Sequence, residues 1–121
     1  LLGKLISESL TKAGYSNLTM TTNGQEAWDY LSEIAKTTEK EDIREKVALL
    51  ITDIEMPEMD GHRLTYLLKN DDRTKDIPIV IFSSLVNDEM KKKGESLGAN
   101  AQLSKPEIGN LVQIVDGLVN R

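Results

Sequence analysis

Residues 47–53 read Val-Ala-Leu-Leu-Ile-Thr-Asp, a short apolar run that ends on an acid. A continuous apolar run of this length is typical of a strand that is buried on both faces, as in a parallel sheet. Two similar runs follow at Ile77–Phe82 and Ala101–Leu103. The sequence therefore predicts a parallel sheet that contains these three segments.

Segments with apolar residues at helical spacing separate these runs, and alternation of helices with strands predicts an α/β fold with helices on both faces of the sheet. Leu18–Thr21 is a further strand candidate. The charged stretch Lys36–Lys46 has no apolar periodicity, and we interpret it as a helix end followed by a solvated loop. The predicted helices are Leu2–Ala13, Asn23–Ala35 with Asn23 as its N-cap, Gly61–Leu68, Asp88–Leu97 and Glu107–Val119.

Composition places the chain in the globular class and excludes several kinds of partner. With 121 residues, of which 39% are hydrophobic and 29% charged, the chain fits one compact domain, residues 1–121. The net charge of −5, without a basic cluster, argues against binding to nucleic acid. No apolar run has the roughly 20 residues needed to cross a bilayer, so we expect no membrane insertion.

Polar side chains follow three of the predicted strands. Asp53 follows the first apolar run, Ser83 the second, and Lys105 comes shortly after the third. Ligand sites in open α/β sheets form at the carboxyl ends of the strands. A carboxylate that can attack phosphorus, a hydroxyl and an ammonium that can contact phosphoryl oxygens together suit phosphate chemistry.

Each of these residues also has an ordinary structural interpretation. A lone Asp at a strand end usually starts a turn, Ser83 and Ser84 could cap the next helix, and Lys105 could be a surface lysine. The single histidine, His62, is expected to be exposed at a helix start. The functional hypothesis therefore depends on the joint occurrence of the three groups.

Residues 53–61, Asp-Ile-Glu-Met-Pro-Glu-Met-Asp-Gly, resemble the phosphoacceptor segment of the receiver domains of two-component signalling. Ser83 and Lys105-Pro106 follow at the spacing of that family's switch hydroxyl and its Lys-Pro pair. The resemblance covers essentially the whole chain. It implies a flavodoxin-like doubly wound parallel sheet of five strands in the order 2-1-3-4-5.

The resemblance also implies a function and a set of site residues. Asp53 would accept a phosphoryl group from a histidine kinase, Lys105 would contact that group, and Ser83 would move toward it. Mg²⁺ would be required, with Asp53 and the backbone carbonyl of Glu55 among its ligands. The domain would act in the cytoplasm as a regulatory phosphoacceptor that catalyses only its own phosphotransfer and dephosphorylation, and not as an enzyme. Further switch or structural positions would be Met56, Pro57, Gly61, Ser84, Gln102 and Pro106.

Softer features resemble the receivers of CheV-type chemotaxis proteins, a subgroup of this CheY-like family. They include the long charged stretch Lys36–Lys46, the segment Phe82–Leu85 and the segment Gly98–Ala101. This resemblance implies a CheA-like histidine kinase as phosphodonor, proteins of the chemoreceptor array as further partners, and a coupling domain like CheW before the receiver.

The sequence departs from the family pattern in two places. The acidic pair that holds Mg²⁺ in receivers, and the whole first strand, would precede Leu1, so the domain is expected to be incomplete at its N-terminus. Without that central strand, the second and third strands of the family's fold, here Leu18–Thr21 and residues 47–52, have no common neighbour to pair with. Gln102 also stands where the family often has an aromatic residue that swings inward with the hydroxyl.

Two other functions remain open at this stage. A receiver-fold module that is never phosphorylated would fit a chain without the acidic pair. A phosphatase of the haloacid dehalogenase type also uses a strand-end Asp with an acid two residues on, which Asp53 and Glu55 loosely match, but such enzymes need further acids and usually a cap domain.

Overall fold

The computed structural model describes residues 2–21, 23–53, 59–83, 88–104 and 109–119, and within them all side chains except those of residues 2–5, 83 and 104. In these ranges, helices alternate with the strands of one sheet. The elements are α1 (Leu2–Lys12), α2 (Gly24–Lys36), a 3-10 turn (Lys40–Asp42), α3 (Ile43–Lys46), β1 (Leu50–Thr52), α4 (Gly61–Lys69), β2 (Ile79–Ser83), α5 (Asp88–Leu97), β3 (Ala101–Ser104) and α6 (Leu111–Val119).

The three strands form a parallel sheet in the order β1-β2-β3. Leu50 pairs with Ile79 at one end of the β1–β2 ladder, and Thr52 pairs with Ile81 at the other. The next ladder runs from the Val80–Ala101 pair to the pair formed by Ser83 and Ser104. The predicted parallel α/β fold is confirmed, and the sequence of β2 explains why both faces of the sheet are covered.

Successive side chains of β2 are buried on opposite faces of the sheet, as strand geometry requires. Val80 and Phe82 pack with Leu103 and the apolar side of α6, and Leu10 of α1 closes this cluster. On the other face, Ile79 and Ile81 pack with apolar residues of α2 and α4. The residues that α2 and α4 contribute to that second cluster are Ala27, Leu31, Leu64 and Leu68.

Local signals in the sequence fix several helix ends. The Asn23 side chain accepts a hydrogen bond from the Glu26 N–H at 2.8 Å, which confirms the predicted cap of α2. After α1 and after α5 the chain turns through Gly14 and Gly98, whose φ angles of 100° and 98° suit glycine. The α5 boundaries, Asp88 and Leu97, are those predicted from the sequence.

A polar contact ties the amino ends of β2 and β3 to α4. The Lys69 ammonium donates to the Ile77 carbonyl at 2.9 Å and to the Asn100 side-chain oxygen at 3.1 Å. The same Asn100 oxygen accepts from the Ile79 N–H at 2.9 Å. Side-chain hydrogen bonds thus occupy the amino ends of these strands, so the carboxyl ends are where a ligand site is expected.

The interpretation of Lys36–Lys46 as a solvated loop is wrong for its second half. This stretch contains the turn Lys40–Asp42 and the short helix α3, and Ile43 is only 1% exposed. Ile43 packs in a third cluster with Ala35 and Ile77, and the Arg44 guanidinium donates to the Leu118 carbonyl at 2.7 Å. A single apolar residue carries no periodicity, so the sequence pattern did not reveal this anchor.

The strand candidate Leu18–Thr21 does not form a strand in the structure. A cavity of about 750 Å³ lies between this segment and β1, and Leu18, Met20 and Ile51 are among the residues that line it. A strand needs a hydrogen-bonded neighbour, and no described strand lies beside this segment. The expectation that Leu18–Thr21 and β1 cannot pair without a strand between them therefore agrees with the observed gap.

The other described strand and helix boundaries shift by a few residues, and the predicted start of the last helix, Glu107, lies outside the described residues. β1 begins at Leu50, later than the predicted Val47, because the Val47 N–H still bonds to Ile43 at the end of α3. β2 begins at Ile79 and includes Ser83, and β3 extends to Ser104. No described helix combines the length and apolar character needed to cross a bilayer.

Replacement of Ile43 by Ala should lower the free energy of unfolding by about 2–4 kcal/mol, because it leaves a cavity where a fully buried side chain was. Urea denaturation followed by circular dichroism measures the loss. Met20→Ala is the matched control, since Met20 is 57% exposed and its truncation should change the free energy by less than about 0.5 kcal/mol. Equal, small losses for both variants would contradict the anchoring role of α3.

Candidate functional site

The carboxyl ends of the three strands lie at one edge of the sheet. β1 ends at Thr52, level with Ile81, and β2 and β3 end together at the Ser83–Ser104 pair. Continuation of the β1–β2 register places Asp53 level with Phe82, one residue short of Ser83. The fold therefore brings the main chain of Asp53 and Ser83 together on neighbouring strands.

Asp53 is half-buried and lies at the border of the cavity beside β1. The residue before it, Thr52, is buried, and its hydroxyl donates to the Asp53 carbonyl at 3.0 Å. The Thr52 side chain thus bonds to the main chain at the end of the strand. Asp53 is thus the first acidic side chain after β1 and stands at the edge where the other two strands end.

Several predicted site residues lie outside the described part of the chain. The side chain of Ser83 is not described, although its backbone ends β2. The roles assigned to these residues stay predictions. Besides the Ser83 side chain, this applies to Glu55, Met56, Pro57, Ser84, Lys105 and Pro106.

The segment before α4 packs closely against the start of α2. A Cβ atom added to Gly24 would lie 2.0 Å from the Met59 carbonyl oxygen, so only glycine fits there. The Asp60 carboxylate accepts from the Arg63 N–H at 2.8 Å and caps α4, whose first residue is the buried Gly61. Gly24 thus helps to hold Met59, just before α4, and the Asn-Gly pair at the α2 cap was its only sequence signal.

Gln102 faces α5 from the edge strand β3. Its amide nitrogen donates to the Lys91 carbonyl at 2.7 Å, and its side chain fills the space over Gly94. Gln102 pairs with Ile81 in the ladder, so it lies one strand away from the one that ends at Ser83. The position at which the family often has an aromatic residue is therefore occupied by a hydrogen-bonded amide.

A hollow of about 290 Å³ lies between parts of α4 and α5, and its lining includes His62, Arg63, Tyr66 and Lys93. His62 was expected to be exposed, and this expectation is wrong: only 6% of the residue is exposed, because α5 covers the start of α4. Its Nε2 atom is buried without a hydrogen-bond partner among the described residues. Burial lowers the pKa of His62, nearby Lys93 lowers it further, and Asp60 acts in the opposite direction.

A magnesium ion at the strand ends would need oxygen ligands from several residues. Mg²⁺ prefers carboxylate and carbonyl oxygens, which Asp53 can supply. Within the described ranges, however, no three acidic, histidine or cysteine side chains converge on one point. Asp53 fits the ion by chemical type, but the described portion of the chain does not form a site of three such side chains.

Comparison with known protein families decides the classification of this fold and strand edge. The family model described as the response regulator receiver domain matches residues 1–116. The chain is a response regulator receiver domain. Receiver domains are regulatory phosphoacceptor domains of two-component and chemotaxis signalling, and they accept phosphate from histidine kinases.

Curated relatives of this receiver domain include chemotaxis proteins. CheV3 of Helicobacter pylori is 26% identical over 118 residues, which are 98% of this chain and 37% of CheV3. CheY1 of the same species is 33% identical over 81 residues, 67% of this chain and 57% of CheY1. The gliding motility regulatory protein of Myxococcus xanthus is 42% identical over 72 residues, 58% of this chain. The receiver spans 9% to 57% of the length of these relatives.

Solved structures agree with the receiver fold. The signal receiver domain of a signal transduction histidine kinase from Syntrophus aciditrophicus matches with a TM-score of 0.77 and 27% identity, and the match covers 98% of this chain and 82% of that one. The receiver domain of the sensor histidine kinase PA1611 from Pseudomonas aeruginosa, solved with a magnesium ion in its active site cleft, matches with a TM-score of 0.74 over 98% of this chain and 88% of that one. At 18% identity, this second likeness supports the fold alone.

The buried His62 should make the stability of the receiver depend on pH. Because its pKa is lower in the folded chain than the ordinary 6.5, the unfolded chain binds more protons as the pH falls through 6.5. The free energy of unfolding should therefore be highest above pH 6.5 and should decrease from there toward pH 5.5. Urea denaturation at several pH values measures this slope, and His62→Gln should flatten it.

Lys93→Gln provides the matched control for this pH dependence. Without the Lys93 charge, the pKa of His62 moves back toward its ordinary value, so the slope should become shallower but persist. If the free energy of unfolding depends on pH equally in the wild type and in His62→Gln, the pKa of His62 does not differ between the folded and unfolded chains.

Proposed function

We propose that Asp53 is the phosphoacceptor of this receiver domain and that its phosphorylation switches the affinity of the domain for partners. One observation carries the assignment: Asp53 directly follows β1 at the edge where β2 and β3 also end. In α/β sheets of this type, the carboxyl ends of adjacent strands form the ligand crevice. The family assignment favours this function over a haloacid dehalogenase type of phosphatase.

The proposed chemistry is transfer of one phosphoryl group to a carboxylate. An Asp53 oxygen forms a bond to phosphorus while the bond from phosphorus to a histidine nitrogen of the kinase breaks, which yields an acyl phosphate. The hydroxyl of Ser83 and the ammonium of Lys105 are proposed to bind phosphoryl oxygens. These contacts would favour a second arrangement of the domain, and this population shift is the signal.

Mg²⁺ is the proposed cofactor, with the Asp53 carboxylate and the Glu55 backbone carbonyl as ligands. When bound, the ion would neutralise charge that develops on the transferred group. The support is the donor type of Asp53 and its place at the strand edge. The domain itself supplies the nucleophile and orients it, and we propose no enzymatic activity beyond its own phosphorylation and dephosphorylation.

The cavity beside β1 is proposed to hold a β-strand that completes the sheet and joins Leu18–Thr21 to β1. Its lining is rich in apolar side chains, among them Leu49, Ile51 and Phe82, and Asp53 lies at its border. A strand there would end next to Asp53, so acidic residues at its carboxyl end would supply the metal ligands that the described residues lack.

The CheV and CheY relatives support a role in chemotaxis. We propose a CheA-like histidine kinase in the cytoplasm as the phosphodonor and proteins of the chemoreceptor array as further partners. The chain resembles the receiver part of CheV proteins, in which it would follow a coupling domain.

The phosphoacceptor role of Asp53 is tested with acetyl phosphate and Mg²⁺, followed by intact mass measurement of the full-length protein. The wild type should gain one phosphoryl group, and Asp53→Asn should gain none because the nucleophilic carboxylate is lost. Chelation of Mg²⁺ by EDTA should slow the wild-type reaction by at least about tenfold, the factor that 1.4 kcal/mol of lost charge stabilisation would give.

Asp60→Asn is the control for this experiment. Asn caps a helix as well as Asp does, so the variant should keep α4 and be phosphorylated like the wild type. Phosphorylation that survives Asp53→Asn would remove Asp53 from its role. A full-length protein that takes up no phosphoryl group would instead favour the module that is never phosphorylated.

The strand proposed for the cavity is tested by amide hydrogen exchange in the full-length protein. The Leu50 N–H bonds to the Pro78 carbonyl on the β2 side, so strand alternation directs the Ile51 N–H toward the cavity. A strand there should protect the Ile51 amide at least about tenfold more than in the isolated chain of residues 1–121. Equal exchange at Ile51 in both proteins, with Leu50 protected in both, would rule the strand out.

A further inference from the structure

Helix α5 has few apolar anchors. The structure describes all of α5, and Gly94 is its only buried residue. Met90 is half-buried against the cluster on its face of the sheet, and the hollow at His62 separates part of α5 from α4. Burial of apolar side chains therefore contributes little to holding α5 against the sheet.

The hydrogen bond from Gln102 supplies a fixed point. Its amide nitrogen donates to the Lys91 carbonyl at 2.7 Å and links the middle of α5 to β3. Leu103, the next residue of β3, is buried on the opposite face, so strand alternation places Gln102 on the face that α5 covers. The contact thus joins the edge strand to the helix that packs over it.

Gly94 makes this approach possible. A Cβ at this position would lie 2.4 Å from Oε1 of Gln102 and 2.6 Å from its Cδ, so the end of the Gln102 side chain would have to move away. The Gln102 side chain therefore packs directly on the helix backbone, and the hydrogen bond and the packing depend on one another. We call Gln102, Gly94 and the Lys91 carbonyl the α5 latch.

The latch lies close to the proposed switch in the chain and in the sheet. Ser83 ends β2, and α5 begins at Asp88, so α5 is the first described helix after the proposed switch hydroxyl. β3, which carries Gln102, pairs with β2 up to Ser83. Movement of the Ser83 hydroxyl toward a phosphoryl group on Asp53 would pull on the start of α5.

We propose that Gln102 is a positioning residue that holds α5 on β3 through the α5 latch and thereby opposes the switch. This inference rests on the proposed phosphorylation of Asp53. An arrangement in which α5 leaves β3 loses the hydrogen bond, so the latch favours the arrangement described here. Loss of the latch should make the domain easier to phosphorylate.

The test compares Gln102→Met with the wild type in the full-length protein. Methionine matches the length of glutamine and keeps the packing on Gly94, but it cannot donate to the Lys91 carbonyl. The initial rate of phosphorylation by acetyl phosphate with Mg²⁺ should rise about fivefold, the factor that one ordinary hydrogen bond is worth. A wild-type rate in Gln102→Met would overturn the proposal.

A double-mutant cycle separates the latch from general packing. Gly94→Ala should displace Gln102 and raise the rate as Gln102→Ala does, and the two changes together should act no more strongly than either one. Additive effects on the rate would overturn the latch. Gly117→Ala in α6 is the matched control, because among the described residues no atom outside its own helix backbone and chain neighbours lies within 4 Å of the added Cβ, so the rate should not change.

Amide hydrogen exchange of α5 tests the latch without phosphorylation. In Gln102→Met, the α5 amides should exchange about fivefold faster, while those of α6 should not change. Unchanged protection of α5 would overturn the latch even if Asp53 is the phosphoacceptor. Faster exchange in a protein that is not phosphorylated would uphold the latch and reject only the proposed function.

Discussion

Parallel pairing of three buried strands is the constraint on which the rest of the molecule depends. Because β1, β2 and β3 run in the same direction and in register, their carboxyl ends must meet at one edge. The helices that connect them must cover both faces, as the separate clusters around Phe82 and Ile81 show. Placement of Asp53 and Ser83 on neighbouring strands at the same edge follows from this pairing.

The two ends of the sheet are finished differently. At the amino ends, Lys69 and Asn100 close the backbone with hydrogen bonds. Toward the carboxyl ends, Gly24 packs closely against Met59, which comes just before α4, and farther along the sheet Gly94 lets Gln102 of β3 pack on α5. An amino end closed by hydrogen bonds, combined with an α5 that has few apolar anchors, suits a domain that changes shape at the carboxyl ends of its strands.

The sequence was sufficient to predict the parallel fold, the α5 boundaries and the Asn23 cap, because apolar runs and capping residues act locally. It could not reveal the burial of Ile43 or His62, since each depends on an element distant in the chain that covers it. The contact of Gln102 with α5 was equally hidden, because a polar residue on an edge strand carries no pattern. Their places after apolar runs made Asp53, Ser83 and Lys105 joint candidates for phosphate chemistry. The phosphoacceptor role of Asp53 and the metal role of Glu55 depend on the family resemblance.

The most direct test of this account locates the phosphoryl group on the chain. Borohydride reduces an acyl phosphate to an alcohol, so treatment of the phosphorylated full-length protein converts the modified aspartate to homoserine, which peptide mass spectrometry detects. The account predicts homoserine at position 53 alone. A reduced residue at Asp60 or at another carboxylate, with Asp53 unchanged, would contradict it.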